Sequence, residues 1–145
     1  MTREKVAEVE NCSGTSFYDF LRDLHTHSLL AAANRDEGGN SVVSKGLVHG
    51  HAYSLLKIEE ITVNGTAQKM VRLRNPWGTR EWNGAWSDGS AEWENVDEDE
   101  KARIGYEDKY DGGFWMSFED WIDEFEAIQI CILPKVNFFD ETIDV

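Results

Sequence analysis

Apolar positions change period several times along the chain, and each change marks an element. Phe17, Phe20, Leu21 and Leu24 recur at helical spacing behind Ser16, with Asp19 as its capping-box partner. A helix from Phe17 to Ala33 is predicted, and Asn34 to Ser44, rich in Gly, Asn and Asp, reads as a loop. From His51 to Val63 strand formers dominate, Asn64-Gly65 is the strongest two-residue hairpin signal, and Thr66 to Arg74 returns. Asn75-Pro76 ends that strand, because proline cannot donate to a ladder. Trp77 to Gly113 reads as loop, with a short helix opening near Asp97. Ser117 and Asp120 form a second capping box for a helix through Phe125. Ala127 to Leu133, closed by Pro134, reads as a short buried strand. The expected architecture is α+β with an antiparallel sheet over residues 16–134, flanked by a charged segment 1–15, expected to fray, and a tail 135–145.

Composition narrows what such a domain does. With 145 residues, 41% hydrophobic and 12% aromatic, the chain has the means to bury a core. Its formal charge of −14, from 28 acidic and 14 basic residues, argues against a nucleic-acid partner, whose phosphates need clustered Lys and Arg. Cations or basic peptides stay open as partners. Two cysteines, Cys12 and Cys131, make no disulfide framework. The first residues carry no apolar run of a leader, and no stretch approaches the ~20 apolar residues of a membrane span. The reducing cytoplasm is therefore the expected location.

Two segments carry chemistry: Gly46 to Ser54, containing His49 and His51, and Arg72 to Gly78, containing Asn75 and Trp77. The hairpin separates them, so His51 starts one strand and Asn75 follows the end of its neighbour. The same end of two paired strands brings a base and its orienting group within reach. A histidine can take a proton from a thiol near neutral pH, and an asparagine amide oxygen can fix its tautomer through the far ring N–H. Trp77, two residues after Asn75, is positioned to keep water from that bond. A lone histidine is more often an ordinary core or surface residue, and Arg74 to Gly78 alone could be a structural turn. The pairing of the hairpin ends favours catalysis.

The ordered motifs GHAYS, RNPWG, EWNGAWSD and DGGFWMSFEDW resemble the calpains, calcium-dependent cysteine endopeptidases, from about Gly46 to Leu133. The resemblance implies the second half of a papain-like cysteine protease fold, a barrel-like antiparallel subdomain with flanking helices. It makes His51 and Asn75 two members of a Cys-His-Asn triad used for limited proteolysis, and Trp77 their shield. It also implies one calcium site in this half, with Glu81 and Asp88 from one loop and Asp111 and the Lys109 carbonyl from another. Gly113 departs from the pattern, since calpains often carry an acid directly before the FWMSF segment. In this reading calcium reshapes the half so that Trp77 moves and the cysteine approaches His51.

The nucleophile is not legible. Cys12 precedes His51 by only 39 residues and is followed by Ser13 and Gly14 rather than an aromatic. Cys131 follows both partners inside an apolar strand, where a cysteine is usually an inert small hydrophobe. The expected partner is therefore a separate Cys-bearing half, protein substrates lie across the cleft, and the isolated chain is expected to be inactive. Two other readings stay open. Trp82, Trp86 and Trp93, with Trp77, could form a stacking platform of a non-catalytic peptide- or glycan-binding module. His25, His27, His49 and His51 could hold zinc, although His25 and His27 at i and i+2 would not share a helix face.

Overall fold

The computed structural model describes residues 6, 16–26, 28–34, 44–48 and 50–132. Cys12, His27, His49, most of the 34–44 loop and the tail from 133 onward lie outside the described residues.

Helix α1 (Phe17–His25) opens on Ser16, whose hydroxyl accepts the Asp19 N–H at 3.1 Å. It closes early. Thr26 turns its backbone N–H and its hydroxyl onto the Asp23 carbonyl at 3.1 and 2.7 Å, and the chain then enters β1 (Ser28–Asn34). The expected continuation of the helix to Ala33 is thus corrected. Leu and Ala carry good helix propensity, but this segment gains a ladder on both sides, with β2 (Ala52–Val63) and with β5 (Phe125–Ile132). Leu30 and Ala32 are buried while Leu29 is 61% exposed, the two-residue alternation of a strand.

The five strands run antiparallel in the order β4-β3-β2-β1-β5, with β3 at Thr66–Arg74 and β4 at Gly113–Ser117. Asn64 and Gly65, at φ 48° and 79°, make the left-handed two-residue turn expected between β2 and β3. Leu56 is an extra residue in β2: Leu55 pairs with Leu73, whereas Lys57 pairs with Arg72. This bulge switches which parity faces inward. Tyr53 and Leu55 before it and Ile58 after it therefore join one core, and Ile61 joins another.

β4 was not legible as a strand, and β5 is an edge strand rather than the buried one expected. Among the described residues it pairs with β1 alone, and Ile130 is 48% exposed. Helix α3 (Phe118–Glu124), capped by the Ser117 hydroxyl, connects these two outermost strands directly. Seven helical residues span about 10 Å, whereas five strands laid flat would set the edges about 19 Å apart. The sheet must curl to let so short a helix join its edges, which gives the domain its barrel-like shape.

The main core lies inside the curl, where Leu30, Tyr53, Val71, Leu73, Phe114 and Met116 meet Leu21 of α1 and Trp121 of α3. A second core packs Trp86, Trp93, Val96 and Ile104 against Met70 and Trp115. It covers the other face with the long segment after β3, which holds a 3-10 turn (Ala91–Asn95) and α2 (Glu98–Ile104). Asp97 precedes that helix as expected. Among the described residues, no helix is long and apolar enough to cross a membrane.

Candidate active site

The hairpin register sets the site. Ser54 pairs with Arg74, so His51 and Asn75 extend past the paired ends of neighbouring strands. Their side chains meet: His51 Nε2 lies 2.9 Å from Asn75 Oδ1. Asn75 is fully buried, and its amide is satisfied at both ends. Oδ1 also accepts the Trp77 backbone N–H at 3.1 Å, and Nδ2 donates to the Arg80 carbonyl at 3.3 Å. The Trp77 N–H can only donate, so the atom facing it must be the oxygen. The His51 nitrogen facing that oxygen must therefore carry the proton, which leaves Nδ1 as the basic nitrogen.

Aromatic rings frame the histidine. Trp77 tilts over it with centroids 4.3 Å apart, and Tyr53 meets it edge-on at 5.2 Å. Trp77 remains 56% exposed, a lid on the site rather than part of the core. Tyr53 is buried, and its hydroxyl accepts the Val48 N–H at 2.8 Å, tying the segment before β2 to the strand. Burial pushes the Tyr53 phenol above its usual range, so it stays neutral at physiological pH. Tyr53 was not singled out from the sequence, although its place two residues after His51 on a strand was the available signal.

The four loop positions flank this pair without all converging. Glu81 Oε1 accepts the backbone N–H groups of Asp111 and Gly112, each at 2.9 Å. Asp111 turns its own carboxylate onto the Gly113 N–H at 2.9 Å, and its N–H reaches the Lys109 carbonyl at 3.0 Å. Asp88 accepts the Lys109 N–H at 3.3 Å. Glu81, Asp88 and Asp108 line one open cavity of about 290 Å³ together with Tyr110. Asp108 is a carboxylate that the sequence motifs did not single out. These donors are the hard oxygens calcium prefers, yet no three carboxylates among the described residues stand close enough to hold a metal ion. At Gly113, a side chain would begin 3.1 Å from both Arg72 Nη2 and Asp111 Oδ1.

The Asp88 carboxyl is pushed up to about 7, first by burial, then by the Glu81 charge, a hydrogen bond with Glu81 and the Asp108 charge; the Lys109 N–H opposes them. A carboxyl whose folded value lies above its unfolded value of 3.8 binds more protons in the fold. Its contribution to stability is therefore complete below that value and is lost as pH rises toward about 7. In divalent-free buffer, Asp88→Asn is expected to flatten the pH dependence of the urea midpoint across this window. The variant should be the more stable protein at pH 8. An unchanged slope would count against the assignment.

The other candidates separate from the site. Trp82, Trp86 and Trp93 are buried, with the Trp82 and Trp93 indole N–H groups bonded to the Ala85 and Trp86 carbonyls, so they form no open stacking platform. The His25 ring nitrogen lies 3.1 Å from the Leu55 carbonyl. Cys131 is exposed on β5 opposite Leu29, with β1 between it and β2. Leu29 lies level with Leu56, five residues from His51 and so roughly 17 Å along the strand.

The pattern described as the calpain family cysteine protease matches residues 3–132. The calpain clp-4 of Caenorhabditis elegans is 50% identical over 119 residues, 81% of this chain and 16% of that protein. Calpain-9 of Rattus norvegicus is 42% identical over 132 residues, covering 88% of this chain and 19% of its own length. The calpain-1 catalytic subunit of Gallus gallus is 45% identical over 93 residues, 64% of this chain and 13% of its own. The chain thus spans less than a fifth of the length of the curated relatives it matches.

Proposed function

The chain belongs to the calpain family of cysteine proteases, and on that premise we propose that it is the subdomain supplying the histidine and asparagine of a calcium-dependent endopeptidase. The observation that carries this reading is the 2.9 Å contact between His51 Nε2 and a buried Asn75 whose oxygen is independently fixed by the Trp77 N–H. In the assembled enzyme, His51 Nδ1 takes the proton of a cysteine thiol contributed by the other half of the core. The thiolate attacks the scissile carbonyl of a protein substrate, and the His51 imidazolium returns the proton to the leaving amine. His51 then deprotonates the water that releases the acyl group. Asn75 holds the ring in one tautomer throughout, and Trp77 keeps water from their hydrogen bond.

Cys131, so far from His51, is not the nucleophile in this reading, and the 145 residues alone cut nothing. We assign the protein to the cytosol, where thiols are kept reduced. Calcium would be held by Glu81, Asp88, Asp111 and the Lys109 carbonyl. When bound, it would supply a divalent positive charge opposite the crowded Asp88 and Glu81 carboxylates. Gly113 supplies no carboxylate, which makes this site weaker than one with an acid at that position would be.

Mixing the chain with the Cys-bearing half of a calpain should restore peptide hydrolysis that neither part shows alone. The restored activity should fall on calcium chelation. Correct association of the two halves without hydrolysis would overturn the catalytic reading, and hydrolysis indifferent to chelator would overturn the calcium dependence.

A further inference from the structure

Asn75 depends on a backbone carbonyl presented by a residue in an unfavourable conformation. Arg80 sits at φ 58°, in the left-handed region that L side chains adopt only when neighbours hold them there. Two contacts grip it. Its carbonyl accepts Asn75 Nδ2 at 3.3 Å, and its N–H donates to the Tyr110 hydroxyl at 3.0 Å. Tyr110 belongs to the loop before β4, and the residues after it are fastened to the same strip of chain. The Asp111 and Gly112 N–H groups donate to Glu81, while the Gly112 carbonyl accepts the Asn75 N–H at 2.8 Å. Of these fastenings, the Tyr110 hydroxyl is the side-chain group from the facing loop that acts on Arg80 directly.

We infer that Tyr110 is a positioning residue for the His51–Asn75 pair: its hydroxyl holds Arg80 in the left-handed turn that offers a carbonyl to the Asn75 amide. With Nδ2 anchored, the amide cannot tilt, and Oδ1 stays on the His51 N–H. The Trp77 N–H guards the oxygen end of the same amide, so Tyr110 and Trp77 secure opposite ends of one group. The hydroxyl contact joins the two loops through protein atoms alone and requires no cation. Tyr110 is 70% exposed, so water competes for its hydroxyl and the effect of removing it is moderate. The link to turnover rests on the catalytic reading above; the link to Asn75 does not.

Tyr110→Phe removes only the hydroxyl. Tyr106→Phe is the matched control, since the Tyr106 hydroxyl accepts the Gly89 N–H at 3.0 Å in the same region rather than the Arg80 N–H. In nitrogen-resolved spectra of the chain, Tyr110→Phe should raise exchange of the Asn75 side-chain amide protons about three- to tenfold, the loss of one modest hydrogen bond. The His51 Nε2–H signal should broaden, with Tyr106→Phe leaving both unchanged. In the assembled protease kcat should fall by a similar factor with KM unmoved. Asn75 and His51 signals that respond no more to Tyr110→Phe than to Tyr106→Phe would overturn the inference and leave the catalytic reading intact. Altered signals in an assembly whose hydrolysis survives loss of His51 would sink the catalytic reading instead, while leaving the Tyr110 contact supported.

Discussion

His51→Ala is expected to lower kcat/KM of the assembled protease by about 10³- to 10⁶-fold, with substrate affinity nearly unchanged. In the proposed mechanism the histidine has two tasks that nothing else at the site can assume. It keeps the nucleophile as a thiolate and delivers a proton to the leaving amine, so alanine removes both at once. Asn75→Ala should cost less, about 10²-fold, because the imidazole remains and loses only its fixed tautomer and orientation. The order of the two losses is the informative part. An Asn75 effect equal to that of His51 would mean that the asparagine is holding the fold rather than the ring. This is a real alternative for a fully buried amide with three hydrogen bonds. Thermal unfolding of both variants separates the cases. A His51→Ala protein that retains more than about a tenth of the activity would remove the histidine from the mechanism altogether.

The pair at the centre of this prediction was readable from sequence because a hairpin is a ruler. Asn64-Gly65 fixes the turn, and the two strands then bring their far ends together whatever the rest of the domain does. The bulge at Leu56 was not read: the adjacent Leu55 and Leu56 break the alternation there, but two neighbouring leucines also suit an unbroken, largely apolar strand. It shows only when Ile58 is found inward beside Leu55. Ser28–Asn34 misled for a related reason. Its Leu and Ala residues favour a helix locally, and only partners distant in sequence make a strand of it. β4 escaped because both its faces are buried: Phe114 and Met116 point to one core and Trp115 to the other. No alternation remained to be seen. Arg80 escaped because nothing in a residue's identity announces a left-handed conformation, whereas the turn glycines announce theirs.

Gly112 is where the loop before β4 meets the catalytic pair, and Gly112→Ala should be strongly destabilising. Its φ of +89° already penalises any side chain. A Cβ there would lie 2.8 Å from both the Asn75 carbonyl oxygen and the Gly78 Cα. Both are backbone atoms of the RNPWG turn and cannot rotate away, so the 107–113 loop must lift. Lifting breaks the 2.8 Å bond from the Asn75 N–H to the Gly112 carbonyl and strands a buried donor, which alone costs about 1–3 kcal/mol. Adding the conformational strain, the loss should reach about 3 kcal/mol or more, read as a fall of roughly 1 M in the urea midpoint. Gly65→Ala calibrates the strain by itself: that glycine has φ +79° in the hairpin turn, and a methyl group placed on it would meet nothing within 4 Å. Its cost should stay near about 1 kcal/mol, with the His51–Asn75 signals unmoved. Equal losses at the two glycines would mean that the close approach of the loop to Asn75 contributes nothing. A large loss at Gly112, accompanied by a displaced His51 signal, would tie the geometry of the catalytic pair to one backbone contact between two loops.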